Sequence, residues 1–125
     1  IIDGFSARVM REYFRHVGGM TPYLQASTRY INYEDFNIIR PKSIESNKEA
    51  LIEFNGTTKQ LRETLENLKD LGIPNEDVAN LLPLGMTTKC VEKRNLRNIV
   101  DMSHVRKCSI AYHEFRLDLF PTIEN

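Results

Sequence analysis

The sequence predicts a mixed α/β fold on two observations. Segments with apolar residues at helical spacing follow one another along the chain, and two stretches interrupt them: RYINYEDFNII, rich in β-branched and aromatic residues, and GMTTKCVE, which reads as a strand or extended segment. At 125 residues the chain is the size of one core, so residues 1–125 are expected to form a single domain.

The first helix is expected over 6–17, with Ser6 as its cap and Phe5, Val9, Met10, Tyr13 and Phe14 at helical spacing before Gly18 and Gly19 stop it. The stretch MTPYLQAST, with Pro22 and small polar residues, reads as a loop leading into a strand that Arg40 and Pro41 close. From Ser46 to Leu71 the pattern is helical, with Leu61, Leu65, Leu68 and Leu71 as a packing stripe and Gly72 and Pro74 as stop signals. Gly56 inside it costs about 1 kcal/mol relative to Ala, which fits either a kink or two abutting helices. Pro74 at a first helical turn, with Glu76 and Asp77 beside the positive end, starts a short helix through Leu82. An extended segment over 85–92 is followed by helices over 93–106 and 109–119, the last ending before Phe120 and Pro121.

Composition excludes several functions. Lys and Arg total 17 and Asp and Glu total 17, so no global field draws the chain to nucleic acid or anionic lipid. No apolar run reaches the roughly 20 residues of a membrane span. Cys90 and Cys108 are too few for a disulfide scaffold, and a reducing cytoplasm is the expected location. A chain that begins at Ile1 with no initiator Met and no leader is expected to start inside a larger polypeptide.

Phosphate-binding loops, dinucleotide fingerprints, zinc-protease helices and nucleophile elbows are all missing from the sequence. Arginines and small polar residues at element ends stand out instead: Arg15 and His16, then Gln25, Ser27, Thr28 and Arg29, then Asn95, Arg97 and Arg106. Guanidinium forks pair bidentately with phosphate oxygens, and loop hydroxyls complete an anion cradle. A solvated arginine or a structural ion pair is the competing reading for each. His16, His104 and His113 share no metal-ligand spacing with the cysteines, so no metal is expected, and all three read as packing or surface residues. Cys108, beside a helix start, reads as inert.

Three stretches together resemble the flavin-dependent thymidylate synthases. FRHVGGMTPYLQASTRY stands where that family has Arg-His-Arg, then a Ser, then Arg-Tyr; GIPNEDVANLLPLGMTT resembles its proline-containing run; and RNLRNIVDMSHVRKCSIAYHEFR resembles its Asn-x-Arg, later Arg and Glu-x-Arg. The resemblance spans Phe5 to Leu119. It implies an α/β (α+β) fold with a small sheet flanked by helices, an N-terminal part missing from this chain, and a homotetramer with active sites shared between subunits. It also implies FAD as cofactor, NADPH and methylenetetrahydrofolate as co-substrates, and reductive methylation of dUMP to dTMP without an enzyme nucleophile. By matched position Arg106 contacts the pyrimidine and favours its N3-ionised form, making it the catalytic candidate. Arg15 reaches nucleotide or flavin, His16 lies against the flavin, and Gln25, Ser27, Thr28 and Arg29 hold the phosphate and sugar, with Gln25 also near the cofactor. Asn95 and Arg97 contact the flavin.

This sequence departs from the pattern at several positions. Val17 replaces the second arginine of the motif, and the spacing from His16 to Ser27 is two residues longer than the family's. Glu12 occupies a position beside the nucleotide that carries Gln in the family, where a carboxylate near a phosphate is unfavourable unless an arginine intervenes. Ala79 replaces a dUMP-contacting arginine, and Asp101 a flavin-contacting Asn. These departures motivate two alternatives: an altered or inactive nucleotide-binding homologue of the same fold, and a related pyrimidine modification such as hydroxymethylation.

Overall fold

The computed structural model describes residues 1–16, 24–27 and 36–124. Its described elements are β1 (Ile2–Ser6), α1 (Ala7–Tyr13), β2 (Leu24–Gln25), α2 (Lys42–Glu45), α3 (Lys48–Asp70), α4 (Asn75–Val78), β3 (Thr87–Val91), α5 (Leu96–Arg106) and α6 (Phe120–Glu124). A 3-10 turn, Ala79–Leu81, follows α4, and a π-helical turn, Phe115–Leu119, precedes α6. The class is mixed α/β, as the sequence predicts, with a three-stranded sheet in the order β1-β3-β2. The chain divides into two compact units, one made of Ile1–Gln25 with Thr88–Asn125 and the other of Ala26–Thr87.

The first unit holds the sheet and a core of Val9, Met10, Tyr13, Cys90, Met102, Phe115, Leu119 and Phe120. Ser6 caps α1 as expected, its hydroxyl oxygen accepting from the Val9 N–H at 3.2 Å. The Glu114 carboxylate accepts from the Ser6 N–H at 2.5 Å and its hydroxyl at 2.6 Å, so the cap is itself held from the far end of the sequence. Val9, Met10 and Tyr13 are the buried face of α1, whereas Phe5 lies in β1, a strand too short to show alternation. α1 also ends earlier than the 6–17 helix expected, at Tyr13. Leu24 and Gln25, expected in a loop, pair antiparallel with Val91 and Cys90. The last helix begins at residue 113 rather than 109 and runs past Pro121. Phe120 donates its N–H to the Phe115 carbonyl, an i→i+5 bond, and this widened turn precedes a proline that has no N–H to give. Cys108 is exposed in the bend after α5, not at a helix start.

The second unit is organised by α3, which packs Leu65 into a core with Phe36, Val78 and Met86. Asn47 caps the helix by accepting from the Glu49 and Ala50 N–H groups, and the preceding turn, α2, ends at Ser46 because Asn47 takes the cap. Gly72 at φ 78° closes the other end: its N–H reaches the Lys69 carbonyl and the Ile73 N–H the Leu68 carbonyl, a Schellman motif. Leu61 and Leu68 pack against the core, but Leu71, on the C-cap, is 76% exposed and leaves the expected stripe. Pro74 is the N-cap of α4, one position before the first helical residue. Of the strand expected before Arg40, residues 29–35 lie outside the described residues, and the rest forms one antiparallel bridge, Ile38 to Met86.

α3 is continuous through Gly56, where an added Cβ meets nothing within 4 Å. Gly56→Ala therefore removes backbone entropy from the unfolded chain without a clash, and is expected to raise stability by about 0.5–1 kcal/mol in denaturant unfolding. An unchanged or lower midpoint contradicts this account of the helix.

Candidate functional site

The side chains gathered in the first unit come from the end of α1, the segment between β3 and α5, and the last residue of α5. After Tyr13 the chain turns through the Arg15 N–H to Glu12 carbonyl bond at 3.3 Å and the His16 N–H to Tyr13 carbonyl bond at 3.2 Å. That turn sends Arg15 into solvent and keeps His16 partly buried. Arg106 ends α5 with its guanidinium 5.4 Å from the centre of the Phe115 ring, a cation–π contact.

Glu12 lies between two cations. Arg15 Nη1 is 3.2 Å from its Oε1, and Arg106 Nη2 is 3.2 Å from its Oε2. Two arginines thus intervene at the carboxylate whose charge stood out in the sequence. Arg106 also donates from Nε to His16 Nε2 at 2.8 Å, which requires that nitrogen to carry no proton. Burial, then the charges of Arg106 and Arg94, hold the His16 imidazolium below the ordinary histidine range, against a smaller opposing effect of Glu12.

A second, deeper cluster was not legible in the sequence. The Arg94 and Glu92 side chains are 2% and 7% exposed, and the Arg94 fork reaches both Glu92 oxygens, from Nε at 3.2 Å and Nη2 at 3.0 Å. Arg94 Nη1 donates to the His16 carbonyl at 2.6 Å and to Asn98 Oδ1 at 2.5 Å. The guanidinium stands 4.5 Å over the Tyr13 ring, and the Tyr13 hydroxyl donates to Glu92. Burial, reinforced by the Glu92 carboxylate, pushes the Tyr13 phenol well above its ordinary value. In the sequence, Glu92 falls at the end of the extended segment over 85–92 and Arg94 at the start of the helix expected over 93–106, and neither stands out. Only the two-residue spacing after a strand hints that Glu92 and Arg94 share a side.

The other candidates fall elsewhere. Asn95 is the N-cap of α5, its side chain accepting from the Asn98 N–H at 2.8 Å. Arg97 and Asp101 form a solvent-facing pair at 3.7 Å, 88% and 62% exposed. With the aliphatic side chains of Leu96 and Val100 they line an open depression of about 510 Å³. Gln25 Nε2 lies 3.5 Å from Thr88 Oγ1 across β2 and β3. Ser27 is exposed and belongs to the second unit. Val17, Gly18, Gly19, Pro22, Thr28 and Arg29 lie outside the described residues. Ala79 packs against the core of the second unit. Among the described residues no three His, Cys, Asp or Glu side chains gather as a metal site, and no helix is long and apolar enough to cross a membrane.

Comparison with known proteins gives one family. The profile of the family described as thymidylate synthase complementing protein matches residues 1–118. The flavin-dependent thymidylate synthase of Sulfurisphaera tokodaii is 31% identical, over 98% of this chain and 47% of its own length. Proteins of the same name from Pyrococcus horikoshii and Geobacter sulfurreducens are 34% and 26% identical, each over 92% of this chain and 48% and 50% of their own lengths. The chain spans about half the length of these curated relatives.

The contact between His16 and Arg106 sets a pH dependence. Because folding holds the His16 imidazolium below its ordinary value, the unfolded chain binds the proton more readily. Stability contributed by neutral His16 is complete at pH 7 and is lost as pH falls below about 6.5 towards the lower folded value. In an NMR titration Arg106→Gln is expected to move the His16 midpoint upward, and His16→Asn to flatten the stability loss between pH 7 and pH 5. A midpoint that Arg106→Gln leaves in place removes the proposed electrostatic link.

Proposed function

We propose, because this chain belongs to the thymidylate synthase complementing protein family, that it works as a flavin-dependent thymidylate synthase, converting dUMP to dTMP with methylenetetrahydrofolate and NADPH. The observation that carries the reading is the convergence of Arg15 and Arg106, ninety-one positions apart in the sequence, on the single carboxylate of Glu12. Such gathering of distant cations is what a nucleotide anion requires.

In this reading Arg106 faces the pyrimidine. Its guanidinium is held from two sides, by His16 at Nε and Glu12 at Nη2, so it is oriented before any ligand arrives, and a fixed cation stabilises negative charge developing on the uracil ring. Neutral His16 keeps a lone pair on the Arg106 N–H instead of a repelling charge. Within the first unit Arg15 and Gln25 bind the phosphate and sugar, and Glu12 divides its charge between the two arginines so that its repulsion of a phosphate is offset.

The open face of α5 fits one wall of a flavin site. Leu96 and Val100 offer an apolar surface to a flat ring, and Arg97, only loosely paired at 3.7 Å, offers donors to its carbonyl or phosphate oxygens. Asp101 lies beside them and Asn95 anchors the helix start. When bound, the flavin supplies the electrons of the reductive methylation. Arg97 and Arg106 are nine residues apart, about half a turn around α5 after two full turns, so they point to opposite sides of the helix. This supports a homotetramer in which each copy lends one face of α5 to one site and the other face to another.

A second reading, a nucleotide-binding homologue without turnover, is favoured by Ala79, whose methyl packs in an apolar cluster. One assay separates the two. The purified protein is expected to absorb as a flavoprotein and to release tritium from 5-tritiated dUMP when NADPH and methylenetetrahydrofolate are present. Arg106→Ala is expected to lower that rate by about 100- to 1,000-fold with the fold retained. Nucleotide binding without tritium release selects the second reading, and a wild-type rate in Arg106→Ala removes Arg106 from its role.

A further inference from the structure

We propose that Arg94 is a positioning residue: clamped by Glu92, it fixes the main chain at His16 and thereby sets how the His16 ring meets Arg106. The inference rests on the reading of Arg106 given above for one of its two tests and on geometry alone for the other.

His16 lies beyond the end of α1, after the C-cap Phe14, where helical hydrogen bonds no longer define the chain's path. Its N–H is held by the Tyr13 carbonyl at 3.2 Å, and its carbonyl accepts a charge-assisted bond of 2.6 Å from Arg94 Nη1. The same nitrogen reaches Asn98 on α5, and the other edge of the fork is locked on both Glu92 oxygens. The guanidinium therefore ties the end of α1, the segment after β3, and the first turns of α5 through one rigid plane stacked on Tyr13. Arg106 is on that same α5, two to three turns further on. Fixing His16 against the start of α5 consequently fixes the 2.8 Å contact between His16 Nε2 and Arg106 Nε at its end.

A buried ion pair is a poor device for stability alone, because desolvating both charges cancels much of their attraction. The geometry Arg94 imposes is specific in a way that an apolar side chain could not reproduce, since among the described residues its fork bonds Glu92 twice and also reaches the His16 carbonyl and Asn98. Among the described residues, the charged groups facing His16 are Glu12 from α1, Arg106 from α5, and Arg94 itself.

Arg94→Lys tests the proposal because it keeps the positive charge beside His16 and the partner for Glu92 but loses the planar fork. The expected result is a folded protein in which the His16 NMR titration midpoint moves up as the Arg106 contact loosens, and the dissociation constant for dUMP rises about tenfold. A folded Arg94→Lys protein with both quantities unchanged overturns the proposal. Should Arg94→Lys fail to fold, Glu92→Gln/Arg94→Met leaves no buried charge unpaired, and dUMP affinity equal to that of the unsubstituted protein overturns it equally. If the unsubstituted protein binds no dUMP, the nucleotide-site reading fails, and the His16 titration in Arg94→Lys still decides whether Arg94 positions His16.

Discussion

A guanidinium with only 2% of its side chain exposed is tolerable only if its protons find acceptors, and Arg94 finds them on Glu92, Asn98 and the His16 main chain. Those acceptors come from three stretches of sequence that have no local reason to meet. The pair therefore acts as a constraint on the whole first unit: the chain must leave α1 so that the His16 carbonyl reaches Arg94, and α5 must be placed so that Asn98 in its first turn does. Removing one member of such a pair leaves a buried charge and typically costs about 3–5 kcal/mol. The apolar core of Met10, Met102, Phe115 and Phe120 supplies the bulk of the driving force, but it is indifferent to small shifts of register that the polar cluster forbids.

The arrangement around Glu12 follows from the same constraint. With His16 held, Arg106 is met on one edge by a neutral ring and on another by a carboxylate, while Arg15 reaches the same carboxylate from solvent. Two cations and one anion leave a net positive spot that is partly withdrawn from water, where a ligand's negative charge is worth more than on an open surface. α5 carries two unlike faces. Its inner side bears Arg106 and the buried Met102, and its outer side pairs Arg97 with Asp101 beside bare Leu96 and Val100. A helix exposing two large aliphatic side chains next to a weakly held ion pair has a surface shaped for contact with something other than water.

Periodicity made α1, α3, β3 and α5 readable, because each buries one face at regular spacing. The caps were readable too: Ser6 carries the hydroxyl its position needs and Gly72 the positive φ its turn needs. β1 and β2 escaped because strands of five and two residues carry no statistical pattern, and they exist through pairing with β3. The last helix was misplaced because Pro121 is a stop signal for an α-helical ladder but not for one already widened by a π turn. At the candidate site, Glu12, Arg15, His16 and Arg106 were singled out individually, yet nothing local says that they share a neighbourhood. Asn95 was legible as polar and important, but its side chain is engaged as a helix cap. Glu92 and Arg94 were invisible, since burial is a tertiary fact and a Glu-Lys-Arg run resembles any solvated charge cluster.

The split of the chain into a contiguous unit, Ala26–Thr87, and one assembled from both ends has a kinetic side. As synthesis proceeds, the middle segment has all its core partners once Met86 has emerged, whereas Val9 and Met10 wait for Phe115, Leu119 and Phe120, more than a hundred residues later. Closing so long a loop is entropically slow, and the Ser6 to Glu114 bond spans nearly the whole of it. Until then the apolar face of α1 lacks its partners in this core, so the first unit stays open to misassociation for longer than the second.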